Sequence, residues 1–536
     1  MTEIHNTANT GNHIEALDAR GRASLAILAP NPAVLCASGA TGSQKTVTKR
    51  AALTDSIIGE LPEVDIAEIP VIFERAREAG ARWAGVGYAE RKRVILRFVD
   101  EAFAHRDELL DLVQWENGKA RSSAFEEFYD VIMNSRYYAN NAQKILRTRR
   151  VPGAVIGLTQ TQVHHVPKGV VGIISPWNYP LAMGFSDAVA ALMAGNAVVL
   201  KPDSLTPYTA LAVRSLLLKA GLPEDVFQVV IGSGAKLGDP MIANANYMMF
   251  TGSTATGRII AEKAGRNLIG FSAELGGKNG MIVRADAPVK RAARGVAKAS
   301  FASSGQLCIS MERIYIHEDI WDEFVPEFVK VTEDLQLAVT YDWDNDMGPL
   351  ISDAQVAKIT EHLEDAKAKG AKVLAGGYFD TAIAKRAFRP TVLTDVTPEM
   401  LIYSEETFGP MVSLYKVSSD DEAVSLINSL NYGLNGGIWS GDLKVARELA
   451  KRFHTGTVNI NDGYAAAWGS IHAPSGGFKD SGMSHRHGPE GIIKYTDVQT
   501  VATQRLMHIA APEQVGEKLW ATALTAYLKV QHKLHI

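Results

Sequence analysis

The stretch Gly169-Val-Val-Gly-Ile-Ile-Ser-Pro-Trp-Asn-Tyr-Pro180 joins a short apolar run to a polar turn that contains two prolines. Similar apolar runs, separated by helix-length segments, lie at 170–174, 197–200, 226–231 and 247–250. This alternation predicts parallel strands joined by helices, with a ligand site at the carboxyl ends of the strands. The sequence therefore indicates an α/β fold.

Two further patterns flank this region. Between 65 and 106 the apolar residues recur at helical spacing, which predicts packed helices. After Cys308, apolar runs at 314–316, 373–375, 412–415 and 457–460 predict a second lobe of strands and helices. Because 536 residues are too many for one compact core, we expect two large lobes that face each other.

The composition limits the classes of partner. The formal net charge is -4 and no long block of lysine or arginine is present, so we expect a small-molecule partner and no nucleic acid. The uncharged stretch 169–186 contains prolines that would break a spanning helix, so no integral membrane segment is expected. The two cysteines, Cys36 and Cys308, have unrelated surroundings, and the chain starts without a secretory pattern; both features favour a cytoplasmic location.

Four separated segments carry one resemblance. They are Pro176-Trp-Asn-Tyr-Pro180, Phe271-Ser-Ala-Glu-Leu-Gly-Gly-Lys278, Gly305-Gln-Leu-Cys308 and Glu405-Glu-Thr-Phe-Gly-Pro410. Their order and spacing closely resemble the aldehyde dehydrogenase superfamily, over roughly residues 65 to 505. The resemblance implies a Rossmann-type parallel-sheet cofactor domain, an α/β catalytic domain and a β arm that pairs subunits into a homodimer or tetramer.

The resemblance also implies domain boundaries. We expect an N-terminal extension at 1–50, a cofactor-binding domain at 51–148 and 168–276, a catalytic domain at 277–487, an oligomerisation arm at 149–167 and 488–505, and a C-terminal helical extension at 506–536. The first 50 residues lack sustained periodicity, which predicts a poorly ordered arm. The apolar residues after Glu517 recur at helical spacing, which suits docking on the enzyme or on a second subunit, or binding at a membrane surface.

Oxidation of an aldehyde to an acid requires a nucleophile that makes the carbonyl carbon tetrahedral and later leaves, and a cysteine thiolate can do both. The polar segment before Cys308 suits a reactive cysteine, although a packing role fits the local sequence equally well. The match to the family's nucleophile favours catalysis, through a thiohemiacetal and then a thioester on Cys308.

Two further residues complete the implied chemistry. Asn178 matches the family's oxyanion donor, which acts together with the backbone N–H of Cys308, although an asparagine between prolines is also typical of a plain turn. Glu274 matches the family's base, which deprotonates the water that hydrolyses the thioester; most glutamates are instead solvated or ion-paired.

The resemblance places the cofactor on a wider set of residues. Lys201 is expected at the adenine ribose, Ser253 at the pyrophosphate, Glu406 at the nicotinamide ribose and Phe408 at the nicotinamide face, each with an alternative role as a cap, an ion-pair partner or a core residue. The remaining expected cofactor contacts are Trp177, Ser204, Gly232, Gly252, Gly257 and Leu275.

One departure from the family pattern concerns the choice of cofactor. Members that prefer NAD commonly carry Lys-Pro-Ser-Glu, whereas this chain has Lys201-Pro-Asp203-Ser204. A glutamate at the last position would repel a 2′-phosphate, whereas Ser204 and Lys201 can bind one. We therefore expect NADP, with NAD still possible because Asp203 lies one residue away.

The sequence constrains the identity of the substrate less than that of the cofactor. The chain looks most like the bacterial succinate-semialdehyde dehydrogenases, but the positions where better-known members hold the substrate carboxylate with arginines are Ser186 and Ala302 here. Arg313 or another cation is a candidate replacement. The alternative is a pocket for aromatic or aliphatic aldehydes, lined by Tyr179, Met183, Tyr464 and Trp468.

Other functions rank lower. His472, His485 and His487 match no familiar zinc spacing, so no metal is expected. A CoA-acylating enzyme would not need the base at Glu274, and a structural protein would need neither the base nor the nucleophile.

Overall fold

The computed structural model describes residues 11–37, 45–154, 159–504 and 510–534. The parts of the predicted terminal extensions and of the predicted arm that fall at 1–10, 38–44, 155–158, 505–509 and 535–536 lie outside the described residues. The described chain divides into two compact units, Met1–Gln143 with Pro167–Tyr495, and Lys144–Val166 with Thr496–Ile536.

The helices are, in chain order, α1 Gly11–Leu28, α2 Pro32–Leu35, α3 Ile69–Gly85, α4 Gly87–Ala104, α5 Arg106–Asn117, α6 Arg121–Ile145, α7 Pro180–Ala194, α8 Pro207–Lys219, α9 Gly234–Asn244, α10 Thr254–Arg266, α11 Val289–Phe301, α12 Glu318–Glu333, α13 Asp353–Ala368, α14 Leu401–Ser404, α15 Asp420–Asn428, α16 Leu443–Ala450, α17 Ala465–Trp468, α18 Glu490–Ile493 and α19 Glu517–Leu534. The strands are β1 Thr46–Arg50, β2 Ile57–Pro62, β3 Arg149–Pro152, β4 Thr159–Pro167, β5 Val170–Ile174, β6 Ala197–Lys201, β7 Phe227–Val229, β8 Tyr247–Thr251, β9 Gly270–Glu274, β10 Asn279–Val283, β11 Met311–His317, β12 Lys372–Ala375, β13 Thr391–Thr394, β14 Met411–Val417, β15 Tyr432–Gly433, β16 Asn435–Trp439, β17 Thr457–Ile460, β18 Phe478–Lys479, β19 Gly482–Met483 and β20 Thr496–Gln504.

The first large sheet contains all four strands predicted from the opening stretch. Its order is β19-β9-β8-β5-β6-β7, and every pair is parallel except β19 with β9. β5 and β6 are buried throughout because helices cover both faces of a parallel sheet, and their continuous apolar sequence fits that environment. Helix α3 packs Ile72, Phe73 and Ala76 into the same core as this sheet, as the helical spacing predicted.

The second large sheet contains the four apolar runs that follow Cys308. Its order is β12-β13-β14-β11-β10-β16-β17, with β12 antiparallel and the other strands parallel. The core of this lobe lies between the sheet and helices α11 and α12, around Val296, Phe324 and Phe328. The predicted α/β class with two sheet-based lobes is confirmed.

The N-terminal region differs from the expected irregular arm. Residues Gly11–Leu28 form helix α1, which packs against α5. Arg20 of α1 donates to Asp111 of α5 at 2.8 Å, and Trp115 of α5 donates to Asp18 of α1 at 2.8 Å. Apolar spacing did not predict this helix, because polar contacts from Arg20 and Asp18 contribute to its attachment to α5.

The second unit contains the strands predicted for the arm. β20, β4 and β3 form a three-stranded sheet in that order, with β3 antiparallel to β4. Helix α19 begins at Glu517, as its periodicity predicted, and its residues Leu519, Leu528 and Val530 are exposed. Among the residues that the model describes, no helix combines the length and apolar character needed to span a membrane.

Candidate active site

One cavity of about 250 Å³ brings most of the predicted site residues together. It lies in the first unit, where the loops of both large sheets meet. The predicted residues on its wall are Trp177, Asn178, Tyr179, Met183, Gly252, Ser253, Glu274, Leu275, Cys308, Glu406, Phe408, Tyr464 and Trp468. The four segments of the resemblance are therefore close together in space.

Cys308 lies on a tight loop that follows helix α11. Ser303, Ser304 and Gly305 all have positive φ, and a Cβ atom on Gly305 would lie 2.2 Å from the carbonyl oxygen of Gly409. Only glycine permits this approach, which joins the cysteine loop to the loop that carries Phe408. Asn279 at the start of β10 donates to the carbonyl of Cys308 at 2.8 Å and fixes the loop from the other side.

Asn178 follows strand β5, and its side chain points toward the cysteine loop. Its amide nitrogen donates to the carbonyl of Gln306 at 3.1 Å. The backbone of Asn178 is fixed by a second hydrogen bond, because the buried Lys119 ammonium donates to its carbonyl at 2.6 Å. An amide group has two N–H bonds, so one remains for an oxyanion that forms at the carbon bound to Cys308.

Lys119 and Glu127 form a buried ion pair beneath this loop. Their charged atoms are 2.6 Å apart and both side chains are fully buried. Glu127 also accepts the backbone N–H groups of Leu181 and Ala182 at the start of α7. Both charges are therefore compensated, and the loop that carries Asn178 has a rigid support.

Glu274 ends strand β9 and is buried at the cavity wall. Burial raises the pKa of its carboxyl group to about 7, although the positive charges of Arg486 and Lys494 oppose the rise. A carboxylate with this pKa is ionised in part of the molecules near neutral pH and is a better proton acceptor than an exposed glutamate. The site thus provides a base of suitable strength beside Cys308.

For the Cys308 thiol a raised pKa is unfavourable, because the thiolate is the reactive form. Burial raises the pKa of the thiol to about 12 and the Glu406 carboxylate contributes to the rise, whereas the positive charge of Arg486 opposes it. Among the causes of the shift, Arg486 is the cation that favours the thiolate.

A second buried ion pair supports the loop of Glu406 and Phe408. Lys278, the last residue of the second resemblance segment, pairs with Glu312 of β11, and both side chains are buried. The Glu312 carboxylate accepts the backbone N–H groups of Thr407 and Phe408 at about 3 Å. Phe408 has a φ of 56° and meets the Trp177 ring edge-to-face, with centroids 5.3 Å apart.

Glu406 points back toward the first sheet. Its carboxylate accepts the backbone N–H of Gly277 at 2.8 Å, and a Cβ atom on Gly276 would lie 2.5 Å from the same carboxylate. Burial raises the pKa of Glu406 to about 7, and the nearby Glu312 contributes to the rise. Gly276 is thus required for the approach of Glu406.

The remaining predicted cofactor residues lie outside the cavity wall, at the strand ends of the first sheet. Lys201 is buried at the end of β6, and the hydroxyl of Ser204 donates to the carbonyl of Gly232 at 3.3 Å. Ser253 caps helix α10, whose residue Gly257 packs against Leu275. This set of ammonium, hydroxyl and helix N-terminal N–H donors fits a phosphate-bearing dinucleotide.

The structure adds one cation to this set that the sequence did not suggest. Lys49 of β1 lies close enough to Lys201 to lower its pKa, after the larger effect of burial, and Asp203 acts on both lysines in the opposite direction. Asp203 also accepts the backbone N–H of Leu205 at 2.9 Å. Lys49 falls in the region predicted as an extension without a chemical role.

Aromatic side chains dominate the other end of the cavity. Tyr179 and Trp468 meet edge-to-face with centroids 5.8 Å apart. The hydroxyl groups of Tyr179 and Tyr464 both donate to the Glu126 carboxylate at 3.0 Å. Their polar atoms are occupied by Glu126, so the rings contribute mainly apolar surface to the cavity.

Three residues considered for the substrate end do not line the cavity. Ser186 is buried away from the wall and donates to Asp130. Ala302 lies behind the wall, packed with Tyr179 and Tyr464. Arg313 donates to the backbone carbonyl of Lys278 within the second sheet and does not reach the cavity, because β11 points its side chain toward α15.

Arg486 is a charged wall residue that sequence reasoning missed. Its guanidinium donates to Asp187 of α7 at 2.9 Å and to Met183 Sδ at 3.0 Å, and Lys494 pairs with the same aspartate at 3.3 Å. The signal in the sequence was an arginine between His485 and His487, histidines that drew attention only as possible metal ligands. Among the described residues, no group of three or more His, Cys, Asp and Glu side chains suits a metal ion.

The comparisons with known proteins agree with this geometry. The family model described as "Aldehyde dehydrogenase family" matches residues 40–501. A protein of Mycolicibacterium smegmatis named "Putative succinate-semialdehyde dehydrogenase", with NADP(+) in its name, is 49% identical over 474 residues, which are 88% of this chain and 92% of that protein. A vanillin dehydrogenase of Corynebacterium glutamicum is 33% identical over 459 residues, 84% of this chain and 93% of that protein.

Solved structures of similar fold point to the same family. An NADP-dependent enzyme of E. coli superposes with a TM-score of 0.82 at 30% identity, over 86% of this chain and 95% of that one. Betaine aldehyde dehydrogenase from Staphylococcus aureus in complex with NAD+ gives a TM-score of 0.83 at 29% identity, over 87% and 93% of the two chains. The protein described here belongs to the aldehyde dehydrogenase family.

Proposed function

We propose that this enzyme oxidises its aldehyde through a thioester on Cys308, with Asn178 as oxyanion donor and Glu274 as hydrolytic base. The observation that carries the proposal is that these three residues line one cavity with Glu406 and Phe408. NADP held at the strand ends of the first sheet supplies the hydride acceptor.

The three residues act one after another in the reaction. The Cys308 thiolate attacks the aldehyde carbon, and the Asn178 amide with the backbone N–H of Cys308 stabilises the oxyanion. Loss of hydride from that carbon leaves the thioester. Glu274 then takes a proton from water, the resulting hydroxide attacks the thioester, and the carboxylic acid departs as Cys308 regains its thiolate.

The choice of NADP rests on charge. Ser204 stands where a glutamate would repel a 2′-phosphate, and Lys49 adds a positive charge near Lys201. The M. smegmatis relative carries NADP(+) in its name, which supports the same choice. The expected contacts on Trp177, Gly232, Gly252 and Leu275 belong to this proposal.

For the substrate we propose succinate semialdehyde. The support is the name of relatives that are 47% to 49% identical over 88% to 90% of this chain. A second substrate class, uncharged aromatic or aliphatic aldehydes, is favoured by the lining of Tyr179, Met183 and Trp468, behind which the Glu126 carboxylate would repel an anion.

A kinetic panel separates the two classes. Succinate semialdehyde, an aromatic aldehyde and an aliphatic aldehyde are each tested with NADP and with NAD. The highest kcat/KM is expected for succinate semialdehyde with NADP. A higher kcat/KM for the aromatic aldehyde would transfer the assignment to the second class, and a preference for NAD would contradict the role given to Ser204.

The assembly of the enzyme is a further part of the proposal. The sheet of β20, β4 and β3 supports pairing of subunits into a homodimer or tetramer through the arm expected from the resemblance. The cytoplasmic location and the domain boundaries predicted from the sequence belong to the same proposal. The exposed apolar face of α19 supports docking on a second subunit. Light scattering of the full chain tests this: a monomer would contradict it.

A further inference from the structure

Beside Glu274 lies a buried group of charges that the proposed chemistry has not used, and one of its members, Arg486, lines the cavity. The group consists of Asp187, Arg486 and Lys494, and we name it the floor triad. Asp187 pairs with both cations, at 2.9 Å from Arg486 and 3.3 Å from Lys494. Side-chain exposure is 4% for Asp187, 11% for Arg486 and 7% for Lys494, so all three charges are largely removed from water.

The charges of the floor triad do not balance. Two cations face one carboxylate, which leaves a surplus of one positive charge in a site of low polarity. An uncompensated buried charge is strongly unfavourable, so a second anion is required nearby. Glu274 is a buried carboxylate on which all three members of the triad act.

The backbone connects Arg486 to Glu274 directly. Arg486 and Ser475 exchange two backbone hydrogen bonds, at 2.9 and 2.6 Å, and the next residue, Gly476, lies against the Glu274 carboxylate. The guanidinium also donates to Thr251 Oγ1, and Thr251 is the register partner of Glu274 in the first sheet. Arg486 is thus fixed on both sides of the base.

We propose that Arg486, oriented by Asp187 and assisted by Lys494, is a positioning residue that keeps Glu274 in the ionised form that activates water. This rests on the proposed function, because Glu274 must be the base for its ionisation to matter. Arg486 does not need to touch the substrate; its ion pair is with Asp187, and its charge acts on Glu274 across the wall.

The groups that face Glu274 determine the direction of each effect. Arg486 and Lys494 favour the carboxylate, whereas Asp187 opposes it and burial opposes it most. Cys308 faces Glu274 from the cysteine loop, and its thiolate would be stabilised by the same arginine. Removal of Arg486 should therefore raise the pKa of Glu274, and removal of the Asp187 charge should lower it.

The experiment measures the burst of NADPH and the later steady rate by rapid mixing, from about pH 5 to about pH 9. The burst reports acylation of Cys308. When a burst precedes the steady phase, the steady rate reports hydrolysis of the thioester. For Arg486→Met, the acid limb of the steady rate should move upward by about one pH unit. For Asp187→Asn it should move downward, and for Arg486→Lys it should stay close to wild type.

The control is Arg266→Met, which removes an exposed arginine at the end of α10 and should leave the profile unchanged. Unshifted acid limbs in Arg486→Met and Asp187→Asn, with the burst intact, would overturn the inference. If Arg486→Met does not fold, Asp187→Asn decides it through the direction of the shift, and Arg486→Lys is the variant whose acid limb should not move. Absence of aldehyde-dependent NADPH or NADH formation by the wild-type enzyme would instead defeat the proposed function itself.

Discussion

The two ends of the cavity are built in different ways. At the reacting end, Cys308 and Asn178 lie on loops fixed by hydrogen bonds from Asn279 and from the buried Lys119. At the substrate end, Tyr179 and Trp468 contribute ring surfaces that pack edge-to-face, and the hydroxyl of Tyr179 donates to Glu126. We therefore expect the reacting end to tolerate less movement than the substrate end, where the cavity surface is mainly apolar.

This contrast assigns rigidity and specificity to different residues. A buried ion pair holds its loop through bonds of fixed direction, which suits groups that must meet a developing charge. Apolar contacts have no such direction, so a change there alters affinity more than chemistry. Substitutions at the reacting end should accordingly affect the chemical step, and substitutions at the substrate end should affect the affinity for the aldehyde.

The largest effect is expected at the nucleophile. Cys308→Ala removes the thiolate, so aldehyde-dependent NADPH formation should be abolished while the fold is retained. Cys36→Ala is the matched control, because Cys36 is the other cysteine and is buried outside the cavity. Retention of activity in Cys308→Ala would disprove the covalent mechanism.

The next largest effect is expected at the support of the Asn178 loop. Lys119→Met leaves the Glu127 charge buried without its partner, and the free energy of unfolding should fall by about 3–5 kcal/mol. The measurement is denaturant unfolding of the full chain. Lys451→Met removes a lysine from an exposed pair with Glu448 and should cost about 0–1 kcal/mol. If both variants lost the same free energy of unfolding, the buried pair would not stabilise the protein more than the exposed pair does.

A smaller effect is expected at the oxyanion donor. Asn178→Ala removes one directed N–H, so kcat should fall by about a hundredfold to a thousandfold with little change in KM. Steady-state kinetics measure both constants. Asn267→Ala, at the exposed end of α10, is the control and should be neutral. A change confined to KM would place Asn178 in binding instead.

The smallest effect is expected at the substrate end. Trp468→Ala removes apolar ring surface, so KM for an aromatic aldehyde should rise by about tenfold while kcat changes little. The same constants measured with acetaldehyde, which is too small to use that surface fully, are the comparison. A large loss of kcat with both aldehydes would show that this end also orients the reacting groups.

The sequence predicted what depends on local pattern. Strands β5 and β17 have the predicted bounds, and each of the other six predicted apolar runs overlaps a strand. Cys308, Glu274 and Asn178 were identified because short motifs carry them, and the family to which they point is confirmed. Helix α19 was predicted from the spacing of its apolar residues alone.

What the sequence could not show depends on contacts between distant segments. Arg486 reaches the cavity through Asp187, about three hundred residues away in sequence, and no local pattern predicts such a pair. Lys119 beneath Asn178 and Lys49 beside Lys201 are further examples. Ser186 was matched to the substrate end through the family resemblance, but its side chain is directed toward Asp130.

The central claim is that a thioester on Cys308 is hydrolysed with Glu274 as base. The most direct test is rapid mixing of Glu274→Gln with aldehyde and NADP, followed by mass analysis of the trapped protein. The account predicts a burst of about one NADPH per active site, no further turnover, and an acyl group on Cys308. Continued turnover at the wild-type rate, or a burst without an acyl group on Cys308, would contradict it.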